Sequence, residues 1–205
     1  MPLTSNVRPR KLPVPLTAFF KNYVQIFKAA QLCLDQDLHM PSLILTFTLI
    51  DSFAWASSAK TKRQSRTQFE AWLNQWVYPF TSLPCTATEL YAARCGILHT
   101  LTSKADLNTT ASVRQLAFAW GPARLETLQN SIKAIGRPEI VGVHINELLQ
   151  AIRGGMERTF EAAERDSALL NRLEIAASLH FAQLPKTNLE RLMELHEKKT
   201  RKETL

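Results

Sequence analysis

Arg94 and His99, five positions apart, are the most compact reactive pair in the chain. They lie in the otherwise apolar run Glu89-Leu90-Tyr91-Ala92-Ala93-Arg94-Cys95-Gly96-Ile97-Leu98-His99-Thr100. Arginine stays charged, and histidine titrates near neutrality. Such a pair suits a phosphodiester: the guanidinium stabilises the charged phosphoryl group and the imidazole moves a proton. The spacing is awkward on a helix. At about 100° per residue, five steps turn a side chain by about 140°, so an unbroken helix points the two apart. Either Gly96 loosens or ends the helix and puts His99 on a bend or in a loop, or Arg94 of one chain faces His99 of a second chain across a two-fold axis.

Asp51 is the next group of interest. It stands in Leu43-Ile44-Leu45-Thr46-Phe47-Thr48-Leu49-Ile50-Asp51-Ser52-Phe53, where an unpaired carboxylate is costly to bury. Arg94 is the expected partner, and the pairing would orient Arg94 without making Asp51 catalytic. The alternatives are that Asp51 faces solvent at a gap in the bundle or bonds a nearby hydroxyl. Cys95 and His99 have the i,i+4 spacing of two metal ligands on one helix face. No second pair completes a set, so neither a metal nor another cofactor is expected. A cysteine in an apolar run reads as an inert core residue rather than a nucleophile. The basic stretch Lys60, Lys62, Arg63, Arg66 is a candidate contact for an RNA backbone, against the ordinary reading of a solvated charge run. The terminal Lys198, Lys199, Arg201 and Lys202 have the same two readings. Phe47, Phe53, Trp55, Phe69, Trp72 and Trp76 fall at helical spacing, which makes them core residues rather than base-stacking platforms.

The elements that must hold these groups are mostly helical. Residues 1–15, with four prolines and three basic residues, read as an extended arm. A first helix is expected over 17–39, with Phe20, Tyr23, Val24, Phe27, Ala30, Leu34 and Leu38 on its buried face. A second, over 41–59, is apolar nearly all round and is therefore the central one. It has Pro41 in its first turn. Thr67 caps a third helix that Pro79 ends. Thr86 or Thr88 starts the fourth, which carries Arg94 and His99, with Glu89 in a favourable first-turn position. Residues 103–112 read as a loop. Residues 113–120 and 139–145 read as two strands of a small antiparallel ribbon, with a short helix over 123–135 between them. Asn146 caps a helix over 147–165, inside which Gly154-Gly155 marks a kink or a close contact. Asp166 or Ser167 caps a further helix to about residue 183, and residues 187–205 form a charged amphipathic tail. The organisation is thus an arm (1–15), a helical domain (16–185) with a β insertion around 113–145, and a charged C-terminal helix (186–205).

Composition narrows the class. Six glycines in 205 residues argue against sandwiches, barrels and glycine-rich nucleotide loops. A net charge of +7 favours polyanionic partners without choosing among them. Three cysteines without a C-x-x-C pair fit a reducing cytoplasm. The N-terminal stretch lacks the apolar run and cleavage site of a signal peptide. Residues 40–58 carry Asp51 mid-way, so a buried core helix is expected there rather than a membrane span.

The phrase Tyr91-Ala92-Ala93-Arg94-Cys95-Gly96-Ile97-Leu98-His99 resembles the R-x(4–6)-H motif of the HEPN superfamily. The stretches Leu49-Ile50-Asp51-Ser52-Phe53 and Phe69-Glu70-Ala71-Trp72-Leu73 resemble the two helices that precede it in bacterial members. The resemblance covers roughly residues 16–104. It implies a HEPN-like helical bundle, a homodimer in which two Arg94/His99 sets meet, and metal-independent RNA cleavage to a 2′,3′-cyclic phosphate. In that reaction His99 would act as general acid or base, and Arg94 would bind the non-bridging oxygens. A setting in a toxin–antitoxin or phage-defence system, with an antitoxin or regulatory protein as partner, is implied in the same way. Where HEPN ribonucleases usually carry a polar residue after the arginine, this chain carries Cys95. That departure favours a second reading, a catalytically silent module that dimerises and binds a partner protein or a nucleotide.

Overall fold

Residues 39–57 supply so continuous an apolar surface that other helices must enclose them. In the computed structural model, which describes residues 14–58, 65–102, 104–109 and 112–179 together with 193 and 196, they do. Helix α2 (His39–Ser57) packs against α1 (Val14–Asp35), α3 (Ser65–Trp76), α4 (Ala87–Thr100), α6 (Ile145–Ala163) and α7 (Ser167–Leu179). Phe47, Leu49, Ile50 and Phe53 at its centre are completely buried. By length and composition α2 is the one described helix apolar enough to cross a bilayer, and half of that window is buried inside the bundle.

Local chemistry sets the helix ends. Helix α1 stops at Asp35 rather than at residue 39, because Asp37 adopts a left-handed conformation (φ 58°). The Asp37 and Leu38 N–H groups then return to the Leu34 and Cys33 carbonyls. Leu38, expected inside, is therefore 52% exposed. Helix α3 begins at Ser65, two residues before the expected Thr67 cap. Asp166 caps α7, its Oδ1 accepting from the Ala168 and Leu169 N–H groups. Helix α6 starts directly after His144 with no side-chain cap, so Asn146 lies inside it.

The two short strands correct the expected ribbon. Strand β1 (Gln115–Ala119) and strand β2 (Ile140–His144) pair in parallel, Gln115 opposite Ile140 and Ala119 opposite His144. The segment between them contains helix α5 (Leu125–Ala134), which packs on β2. A crossover of that length returns the chain to the start of the sheet, which a two-residue hairpin does not. The resulting β–α–β unit rests on α4 through β1 and on α6 through β2. The architecture is a mostly helical bundle with one small parallel sheet.

Gly155 marks a close helix contact, not a kink. Helix α6 runs through it unbroken, and a Cβ there would lie 2.7 Å from Val77 Cγ2 and 3.0 Å from Trp72 Cη2. Both neighbours are buried and rigid, and the Trp72 indole is further tied to Thr159 Oγ1 at 3.1 Å. Alanine gains about 1 kcal/mol of helix propensity, but overpacking of such a site costs about 1–3 kcal/mol. Gly155→Ala is therefore expected to lower the urea midpoint. A raised midpoint would show that α3 and α6 do not approach this closely.

Candidate functional site

Helix α4 is fixed at its first turn before it presents any reactive group. Thr86 Oγ1 accepts from the Glu89 N–H at 3.2 Å, and Glu89 Oε2 accepts from the Thr86 N–H at 2.8 Å, a reciprocal capping box. Glu89 is only 3% exposed, and Arg114 completes its environment. Arg114 Nε donates to Oε1 at 2.6 Å and Nη2 to Oε2 at 3.1 Å, while a further Nη2 bond reaches the Pro84 carbonyl. Burial by itself would raise the Glu89 pKa. The Arg114 and Thr86 hydrogen bonds together outweigh it and hold the carboxyl below its usual range. On the side toward α3, Tyr91 meets Phe69 edge to face at 5.4 Å, and Thr88 bonds Glu70.

Two turns further on, Arg94 and Asp51 pair. Nε and Nη2 of Arg94 both donate to Asp51 Oδ2, at 2.8 and 2.7 Å, with the two side chains 16% and 21% exposed. Burial works to lower the Arg94 pKa, but the hydrogen bonds and charge of Asp51 win and raise it above the ordinary value. The carboxylate thus fixes one edge of the guanidinium. The other edge is left to Nη1, which comes within 3.5 Å of His99 Nε2.

That approach occurs within one chain and on an unbroken helix, so a break at Gly96 is not what brings the pair together. Helix α4 runs through Gly96 to Thr100, and His99 is in its last turn. The long arginine side chain bends along the arc between the two positions. Cys95, about 100° round from Arg94, lies on that arc. It is half-buried and unpaired with any other cysteine. His99 is exposed, so the open face of the pair is reachable from solvent.

Gly96 has a different task from the one its type suggests. A Cβ there would lie 2.5 Å from the Thr102 carbonyl oxygen and 2.9 Å from that of Lys104. Helix α4 ends at Leu101, which adopts a left-handed conformation (φ 54°), and the chain folds back across Gly96. Thr100 Oγ1 donates to the Gly96 carbonyl and meets Thr102 Oγ1 at 2.8 Å, and Thr102 Oγ1 donates to the Lys104 carbonyl. Those hydroxyls pin the returning loop beside His99.

Of the remaining candidates, Lys60, Lys62 and Arg63 lie outside the described residues, as do the terminal basic residues 198–202. Arg66 is exposed and pairs with Glu70 one turn on. Among the described residues no group of three or more His, Cys, Asp or Glu side chains is placed to hold a metal ion. Cys85 is buried, and burial pushes its thiol up to about 11. Comparison of the chain with known protein families, curated proteins and solved structures finds no match.

Sequence reasoning missed Arg114. Its partner Glu89 is explained locally by the helix start, and nothing in a separation of 25 residues announces the second contact. The signal available was the arginine itself, placed at the mouth of an apolar strand with no acid nearby in sequence.

Proposed function

We propose that the protein is a metal-independent endoribonuclease of the HEPN type, with Arg94 and His99 as its catalytic pair. The observation that carries this reading is the approach of Arg94 Nη1 to His99 Nε2, 3.5 Å, at the exposed end of α4. A phosphodiester placed against that edge meets a fixed guanidinium on its non-bridging oxygens and an imidazole within reach of its 2′- or 5′-oxygen. The 2′-oxygen attacks phosphorus, the bond to the 5′-oxygen breaks, and the products are a 2′,3′-cyclic phosphate and a 5′-hydroxyl. One imidazole takes the 2′ proton. In a homodimer with the two sets facing each other, the second His99 protonates the departing oxygen. A toxin or phage-defence effector in the cytoplasm is the setting that follows from the HEPN resemblance.

A second reading, a silent module that dimerises and binds a partner, is favoured by the same ion pair. An arginine held by Asp51 through two N–H groups also serves as plain bundle structure. Incubation of a labelled structured RNA with the protein in EDTA separates the two. The nuclease reading expects cuts that leave 2′,3′-cyclic phosphate ends and that vanish with His99→Ala. Intact RNA across several substrates, or cuts that survive His99→Ala, would leave the module reading.

A further inference from the structure

Trp120 and Arg124 lie at the carboxyl end of β1, outside the site described above. Trp120 is 43% exposed, and His39 supports it at 4.2 Å between ring centroids with planes 31° apart. Two clefts share Phe118 and Trp120. One, of about 540 Å³, opens towards Leu38, His39 and Met40. The other, of about 560 Å³, is lined by Pro122, Arg124, Thr127 and Ser131 besides the two aromatics. Arg124 is exposed, has no acidic partner among the described residues, and stands at the N-terminus of α5, whose first N–H groups no side chain caps. The acids nearby are Glu126 in the first turn of α5 and Asp37, which lies 3.6 Å from His39 on the other side of Trp120. Neither lines the Arg124 cleft.

The edge of β1 adds hydrogen-bonding groups. Gln115 N–H donates to the Glu139 carbonyl, which fixes the parity of the pair: Gln115, Ala117 and Ala119 turn their main-chain groups to β2. Leu116 and Phe118 therefore turn theirs away from the sheet. A supported indole, an arginine with no acidic partner among the described residues at the positive end of a helix, and Phe118 main-chain groups turned away from β2 lie along one stretch of chain, residues 118–124.

We infer that this surface binds single-stranded RNA, stacking one base on Trp120 and placing its phosphate at Arg124. The one charged side chain lining the Arg124 cleft is positive, which suits an anionic ligand there. Base stacking on an aromatic needs no particular sequence, and main-chain N–H and C=O groups such as those of Phe118 are of the kind that hydrogen-bond a base edge. The inference rests on the ribonuclease reading and extends it, giving the substrate a second foothold away from the Arg94–His99 pair.

The test measures anisotropy of a short labelled single-stranded RNA with the His99→Ala protein, so that binding is read without cleavage. Trp120→Ala is expected to weaken binding by about tenfold, and Trp120→Phe to restore most of it. Arg124→Gln is expected to lower the slope of log affinity against log salt by about one. Arg124 is exposed, so its exchange reads the surface whether or not Trp120→Ala folds well. Unchanged affinity and salt slope in the variants, or no RNA binding by the His99→Ala protein, overturn the inference. An edge that takes a peptide strand instead of RNA gives that same unchanged result. The reading of the Arg94–His99 pair is judged separately, by cleavage with the unaltered chain.

Discussion

Exchange of His99 for alanine is expected to lower RNA cleavage by about 10²–10⁴-fold, the range of a lost general acid or base, and to leave the fold intact. The side chain is exposed, and its one polar approach among the described residues is that of Arg94 Nη1 at 3.5 Å. Surface exchanges of that kind change stability by no more than about 0.5 kcal/mol. Arg94→Ala is the less clean companion. It removes the group that would stabilise the phosphoryl charge, worth about 10²–10³ in rate, but it also strands the Asp51 carboxylate in a site only 21% exposed. Asp51→Asn separates those two effects. Arg94 stays in place but loses the charge that holds two of its N–H groups on one oxygen. A positioning role then appears as a fall in kcat with KM nearly constant. Initial rates on one RNA, with far-ultraviolet circular dichroism and a thermal melt for each variant, check all three. Full activity in a folded His99→Ala protein would remove the histidine from the chemistry and with it the proposed mechanism.

How far the site was legible follows from the range of each interaction. The Asp51–Arg94 pair was readable because a carboxylate inside an apolar helix requires a cation, and the nearest apolar helix with an arginine is α4. The helices were readable because their burial is periodic along the chain itself. Gly96 was not. Its type suggests a break in the helix, whereas its function is set by carbonyl oxygens of residues 102 and 104 that fold back onto it. The sheet was misread for a related reason. Residues 113–120 and 139–145 look like two strands of a ribbon, and only the recognition that α5 is itself a crossover makes them parallel. Interactions contained within one turn or one helix face leave a mark on local sequence. Those that depend on where the chain returns do not. The consequence for the site is direct: its two reactive groups were found by type, while the loop that walls it and the clamp that seats its helix were not.

That clamp gives the second large effect. Arg114→Met is expected to cost about 2 kcal/mol of stability at neutral pH. The figure sits below the 3–5 kcal/mol typical of breaking a fully buried pair because Arg114 is 38% exposed and water screens part of the loss. It stands well above the few tenths of a kcal/mol expected for the exposed pairs Arg66–Glu70 and Arg153–Glu157. The methionine leaves a carboxylate that is 3% exposed and answered only by main-chain donors, the Thr86 N–H and the more distant N–H of residue 114. The dependence on pH identifies the cause. With Arg114 present the Glu89 pKa in the folded chain is lowered, so the pair stabilises the fold fully above the ordinary carboxylate pKa of about 4.3 and loses that contribution as pH falls through the lowered value. In the variant the carboxyl has lost the guanidinium that held its pKa down, so it takes up a proton more readily than in the parent, and acid relieves it. The gap between parent and variant should therefore be widest near neutrality and close on acidification. Urea unfolding of both proteins at neutral and acid pH measures it. A gap that stays constant as the carboxyl titrates would mean that the methionine acts through lost packing on Pro84 and the start of β1, and that Glu89 is not what ties α4 to the sheet.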